Sequence, residues 1–485
     1  MPKMKVLVPI FITVASMVVV ACGGGSGGTV AGGIGGTGIT ASGAITGFGS
    51  IKLNGLVLDT TNATRLVDGV PAPDDSALAI GMVVTVNGTI SDDGVNGTAD
   101  LIEYDDDVQG PIQGPIVEVD LTKTFSVMGI PVSVNKISTV FENTDYASLN
   151  AGALVELSGF FDSAGILYAS RIEDKGGNLI EVKGTIQNFI GVDSFELEVK
   201  NGGTYTVVDW RVLSPPLAVG DFVEVKGTLV PNQPNAITAT DVELQDEGFD
   251  DVEKASIEGL VTGFATGGIG NFQVAGQPVD ATAASFSPAG LATSLADGME
   301  VEVEGPIVSG VLQALKVEAR GGDVEIGATV ESVAPDAGSI TLAFVPAGSS
   351  LTVRVDSRTT LRDDTGFADP LLLTDLATGN YLEIEAYRDD SGNLIATEIR
   401  RDETDDDLLQ GPADSCAANM VTILGIGYGL IDGITRYDDE DETGSSIGSA
   451  AEFCALVNVG TLVKVVDNLS GGGPDGVADE AELED

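Results

Sequence analysis

From about residue 40 onward, apolar and polar residues alternate in short bursts and never settle into a sustained three-to-four-residue period. Period-two alternation marks strands with one buried face. Val84-Thr85-Val86, Val223-Glu224-Val225 and Val301-Glu302-Val303 are the clearest cases. Each belongs to a longer pattern, L-x-x-G-x-x-V-x-V-x-G, found at Leu78 to Gly88, Leu149 to Gly159, Leu217 to Gly227 and Leu295 to Gly305. Two looser copies follow: Leu376 to Ala386, where Ala386 replaces the last glycine, and Leu456 to Asp467, with one residue inserted and Asp467 in the final place. Six copies spaced about 70 to 80 residues apart are the signature of a repeat architecture.

The glycine after L-x-x (Gly81, Gly152, Gly220, Gly298, Gly379, Gly460) is predicted to take a positive φ in a turn entering a strand. After the V-x-V strand come a polar loop and a second strand ending in A-x-x-(I/V)-(E/R). These endings are Ala99 to Glu103, Ala169 to Glu173, Ala239 to Glu243, Ala314 to Glu318 and Ala396 to Arg400. An earlier hairpin is clearest at Ile51-Lys52-Leu53-Asn54-Gly55-Leu56-Val57, since Asn-Gly is the strongest short hairpin signal. Five or six short strands per unit predict small closed or nearly closed β-barrels, because closure removes exposed edges. Units this small bury only about 60% of their unfolded surface, so neighbours are expected to pack together.

The expected class is therefore all-β: six tandem β-barrel repeats at residues 41–109, 110–178, 179–254, 255–322, 323–407 and 408–485, after a signal peptide (1–21) and a glycine-rich tether (22–40). Lys3 and Lys5 precede the uncharged apolar run Val6 to Val20, which is shorter than the roughly 20 residues of a spanning helix and reads as an export signal. Val19-Val20-Ala21-Cys22 resembles a bacterial lipobox, which makes Cys22 the candidate lipid anchor. Ordinary cleavage near Ala21 with a free Cys22 is the alternative. Gly23 stands where an inner-membrane retention signal would place Asp, so the resemblance implies the outer membrane. Gly43 to Phe48 (G-x-I-x-G-F), Asn54-Gly55, the L-x-x-G-x-x-V-x-V-x-G segments and A-x-x-I-E together resemble the bacterial domain-of-unknown-function family 5666, commonly found as tandem copies behind a lipobox. That resemblance implies architecture and location, not an activity.

Composition narrows the chemistry. With 74 acidic residues against 23 Lys and Arg, the formal charge is −51, which repels phosphate backbones and excludes nucleic acid as a partner. The absence of histidine excludes Ser-His-Asp, Cys-His and HExxH chemistry. Cys416 and Cys454 are expected to pair in an exported protein, with buried reduced thiols as the alternative. Acidic clusters at Asp105-Asp106-Asp107, Asp246 to Asp251, Asp405-Asp406-Asp407 and Asp438 to Glu442 are expected to be solvated linkers. Ca²⁺ is the partner they would otherwise suit, and the metal ligands stay unassigned. Trp210, the single tryptophan, is expected to be partly buried near a barrel end. No catalytic residue and no cofactor is predicted. The expected function is a non-catalytic, lipid-anchored envelope scaffold or binding module with an unidentified protein or polysaccharide partner. The alternatives are a calcium-dependent adhesive or matrix protein and a carboxylate enzyme acting on envelope polysaccharide.

Overall fold

The computed structural model describes residues 37–485 apart from 120–121, 137, 201–202, 211–215, 246–247, 289, 321, 323, 346–348, 357–358, 366–367, 369–370, 390, 404–405, 440–446, 469–473 and 485. The stretch expected to be a signal peptide, Cys22 and most of the expected tether lie outside the described residues. The first strand, Thr37–Ala44, starts within the stretch expected to be tether.

Unit 2 shows how the alternation becomes a barrel. Ile130–Asn135 buries every second residue, the pattern of I-P-V-S-V-N on a pleated strand. Five strands then close a ring. Val108–Val119 pairs antiparallel with Thr122–Val127, which pairs antiparallel with Ile130–Asn135. That strand runs parallel to Leu167–Asp174, whose other neighbour, Leu154–Phe161, returns to the opening strand. The ring order 1-2-3-5-4-1 is the five-stranded Greek-key barrel of the OB type. Unit 3 (from Ile180) and unit 5 (from Val324) close the same ring. Unit 4 closes it with its last strand split into Val311–Gln313 and Lys316–Ala319. Unit 6, the most divergent in sequence, keeps the antiparallel pairing of Asp407–Ala417 with Leu462–Asp467 and the parallel pairing of Arg436–Asp439 with Glu480–Leu483.

The glycines behave as their pattern requires. Gly81, Gly152, Gly220, Gly298, Gly379 and Gly460 all have φ between 81° and 95°. The final glycine of the pattern has a different reason. A Cβ on Gly88, Gly159, Gly227 or Gly305 would meet the backbone carbonyl of Thr98, Tyr168, Thr238 or Gln313 at 2.1–2.2 Å. At each of the first three a β-bulge shifts the register between the two last strands, bringing the backbones together.

The barrels join through their opening strands. Units 2 and 3 pair antiparallel there (Glu181 with Gln109), as do units 5 and 6 (Ile326 with Leu409), while unit 1 pairs in parallel with unit 4 (Ala41 with Ser256). Three sheets of 14, 11 and 12 strands result, each spanning two units. Apolar cores are continuous within the 2–3 and 5–6 pairs and separate in units 1 and 4.

Candidate functional site

The polar residue between the two core apolar positions of V-x-V points away from its own barrel. Exposure would be the simple expectation for it, yet Glu156, Glu224, Glu302 and Glu383 are 3%, 1%, 1% and 7% exposed, and Lys464 8%. Neighbouring barrels and cross-strand partners cover these faces, and the few cations gather there. Lys175 Nζ lies 2.8 Å from Glu156, Arg320 2.9 Å from Glu302 and Lys226 3.4 Å from Glu224, while Arg400 pairs with Glu383. Buried carboxylates need such partners, since an unpaired buried charge costs several kcal/mol.

Where units 1, 2, 4 and 5 meet, they line a partly open cavity of about 410 Å³. Ser133, Thr139 and Ser170 of unit 2, Glu258, Glu300 and Arg320 of unit 4, and Glu385 and Glu398 of unit 5 contribute polar groups to its wall. Arg320 is already engaged by Glu302 and, at 3.7 Å, by Glu258. The three remaining acids are held toward their protonated forms. Burial, then Glu258, pushes Glu300 up to about 8 against the pull of Arg320. Burial pushes Glu398 up to about 7 although Arg362 opposes it. Glu385 is raised further by burial and then by Glu398, Glu325 and Glu300, against a hydrogen bond from Ser138. The cavity thus presents carboxylic acids, hydroxyls and carbonyls, a surface suited to hydroxyl-bearing or amine-bearing small molecules.

One wall of this cavity depends on a motif invisible in the repeat pattern. Thr139 accepts from the Asn135 N–H and donates its hydroxyl to the Ala169 carbonyl at 2.7 Å. Thr359 does the same with Asp356 and Ala396, and Thr435 with Ile431 and Ala478. The acceptor Ala169 or Ala396 opens the A-x-x-(I/V)-(E/R) segment, so the threonine locks that strand to the preceding loop. Its spacing from the alanine, 30, 37 and 43 residues, varies with loop length, which hides it from a fixed-register reading.

The acidic clusters divide. Asp105-Asp106-Asp107 is not the solvated linker expected: Asp106 is 1% exposed and Asp105 and Asp107 are half-buried, because units 2 and 3 close over the link. Asp407 is also buried, its β-strand opening unit 6. Asp251 is exposed and accepts from the Ser309 and Gly310 N–H groups. Asp438 and Asp439 lie on the Arg436–Asp439 strand, and residues 440–442 of the cluster lie outside the described residues. In the segment from Asn468 to Glu480, Asp467 accepts from the Asp475 and Gly476 N–H groups, which folds that loop back on the hairpin. Cys416 and Cys454 form a disulfide with their Cα atoms 5.0 Å apart. Trp210 is 6% exposed and packs on Phe189 and Phe195. Among the described residues, no helix is long and apolar enough to cross a membrane.

Comparison with known families follows the barrels closely. Residues 39–103, 113–173, 183–243, 258–318 and 328–400 each match the domain of unknown function DUF5666. The chain belongs to this family. The five DUF5666 segments coincide with units 1 to 5, and unit 6 repeats their strand pairing without matching the family. No curated protein matches the chain.

Proposed function

We propose that this tandem DUF5666 chain is a non-catalytic binding module of the cell envelope, exported and held at the outer membrane by a lipid on Cys22. Its ligand site is the cavity shared by units 1, 2, 4 and 5. The observation carrying this reading is that the cavity is built by four barrels together: at about 410 Å³ it falls in the range of small-molecule sites, and it exists only in the assembled chain. The ligand class is small and rich in hydroxyl or amine groups, in keeping with a polysaccharide-derived partner.

Thermal unfolding of the mature chain with millimolar glucosamine, neutral hexoses or a short diamine tests this. A native-state ligand raises the midpoint by mass action, and Ser133→Phe, which fills the cavity, should abolish the rise. Release of reducing ends from envelope polysaccharide, lost in Glu300→Gln, would replace the binding reading with an enzymatic one. Export and anchoring are tested separately: Cys22→Ala should lose labelled palmitate and move from the membrane to the soluble fraction.

A further inference from the structure

We infer that Asp68, Asp106 and Glu181 hold a divalent cation of the calcium class at the junction of units 1, 2 and 3, with Asp105 and Glu224 on its far side. The site is independent of the four-barrel cavity and shares none of its lining residues. Carboxylate oxygens of Asp68, Asp106 and Glu181 lie within 4.8 Å of one another, and Asp106 belongs equally to a second such group with Asp105 and Glu224. That spacing suits Ca²⁺, whose oxygen ligands sit at about 2.3–2.6 Å, so that opposed ligands are about 4.6–5.2 Å apart.

Asp106 is the independent indication that something is bound. It is 1% exposed, and neither carboxylate oxygen has a hydrogen-bond partner. A buried carboxylate without donors is among the most costly groups a fold can contain. The two nearby lysines pair with other carboxylates of the group. Lys183 Nζ donates to the Asp106 backbone carbonyl at 2.5 Å and lies 3.1 Å from Asp105 Oδ2. Lys226 Nζ lies 2.8 Å from Glu181 Oε2 and 3.4 Å from Glu224 Oε2. Five carboxylates therefore face two ammonium groups, and Glu156 adds a further negative field from unit 2.

The contrast with unit 4 is informative. Glu302, Glu304 and Glu318 are grouped just as closely, but Arg320 lies 2.9 Å from Glu302 and Lys316 lies 2.8 Å from Glu318 and 3.6 Å from Glu304. That group is neutralised by protein cations. The Asp106 site draws its ligands from the unit 1 turn at Asp68, the link between units 1 and 2, and the opening strand of unit 3. A cation there staples three barrels.

The test uses the full mature chain, stripped with EDTA and titrated with Ca²⁺ or Mg²⁺ at fixed ionic strength. The expected results are near-stoichiometric ⁴⁵Ca²⁺ retention and a rise in unfolding temperature with Ca²⁺ larger than with Mg²⁺. Asp106→Asn should weaken Ca²⁺ binding by at least about tenfold while folding as well as the EDTA-stripped parent, since it removes an uncompensated buried charge. Should that variant fail to fold, Asp68→Asn provides the same comparison. Absence of ⁴⁵Ca²⁺ retention by the parent chain, or an unchanged calcium response in folded Asp106→Asn, would overturn the assignment.

Discussion

Asn54 of unit 1 donates its side-chain amide to both the carbonyl (3.0 Å) and the hydroxyl (2.9 Å) of Ser256 in unit 4, across 202 residues of sequence. The same amide reaches the Ser42 carbonyl at 2.9 Å, while the Asn54 backbone turns the hairpin with φ 51°. One residue thus serves a local turn and a distant joint. The close approach explains Gly43, where a Cβ would meet Asn54 Oδ1 at 2.2 Å and Glu258 Oε2 at 2.6 Å. Units 1 and 4 have separate apolar cores, so their union rests on this polar contact, on the Ala44 N–H donated to Glu258 Oε2 at 2.9 Å and on a short parallel ladder.

Asn54→Gly separates the two roles, because glycine accepts the positive φ. The hairpin should persist while the joint weakens, with a loss of about 1–3 kcal/mol from the unsatisfied buried groups. Chemical denaturation measures the loss, and hydrogen exchange should show faster exchange at residues 40–42 and 255–257, the ladder between the units. Unchanged protection there would show that the ladder alone holds the units together.

Arg362 donates to the Thr139 carbonyl at 2.6 Å and lies 3.3 Å from Glu398, tying unit 5 to unit 2 beside the cavity. Arg362→Ala leaves a buried carbonyl and carboxylate short of a partner and should cost about 3–5 kcal/mol. Arg362→Lys should recover only part of this, because one ammonium cannot reproduce the guanidinium fork. Denaturant midpoints of the two variants decide the matter, and full recovery by lysine would mean that charge alone matters there.

The cavity acids predict an inverted pH dependence. Glu300 and Glu398 titrate near 8 and 7 in the fold, above an ordinary value of 4.5, so the native state binds more protons than the unfolded chain between those values. Their contribution is fully present below about pH 4.5 and is lost as pH rises through 7 to 8. Asp363 acts oppositely: burial tends to raise it, but the Arg401 pair and hydrogen bonds from Thr365 and Ala368 hold it far below its usual value, so its contribution disappears in strong acid. Denaturation midpoints should fall between about pH 5 and 8, and Glu300→Gln should flatten that fall. A midpoint rising across this range would contradict the assignment.

Reducing the Cys416–Cys454 disulfide should act on unit 6 first. The bridge closes a 38-residue separation, for which chain entropy alone gives about 4 kcal/mol. Cys416→Ser with Cys454→Ser should lower stability by an amount of that order, with proteolytic sensitivity appearing after residue 407. Equal sensitivity in units 1 to 4 would mean that the barrels unfold as one cooperative body.

Gly227→Ala separates steric need from backbone freedom. Its Cβ would lie 2.2 Å from the Thr238 carbonyl, whereas Gly220, with φ 95°, has open space around it. Both should destabilise by about 1–3 kcal/mol, the first through overpacking and the second through strain. A D-alanine at position 220, introduced by chemical ligation, should recover stability; none should be recovered at 227.

What local geometry controls was legible along the chain. Period-two alternation set the strands, the L-x-x-G glycines set turns that only positive φ allows, and Asn54-Gly55 set a hairpin. Repetition at about 70–80 residues then set the tandem order of the barrels, of which five match the family. Tertiary structure alone decided which outer faces meet. Glu156, Glu224, Glu302 and Glu383 have the alternation of solvent-facing residues but are buried between polar surfaces. Alternation reports that a residue leaves its own core; it carries no information on whether water or another barrel lies beyond. The pairing of unit 1 with unit 4, the four-barrel cavity and the burial of Asp106 follow from that docking. Each depends on contacts between residues tens to hundreds of positions apart, which no local pattern encodes.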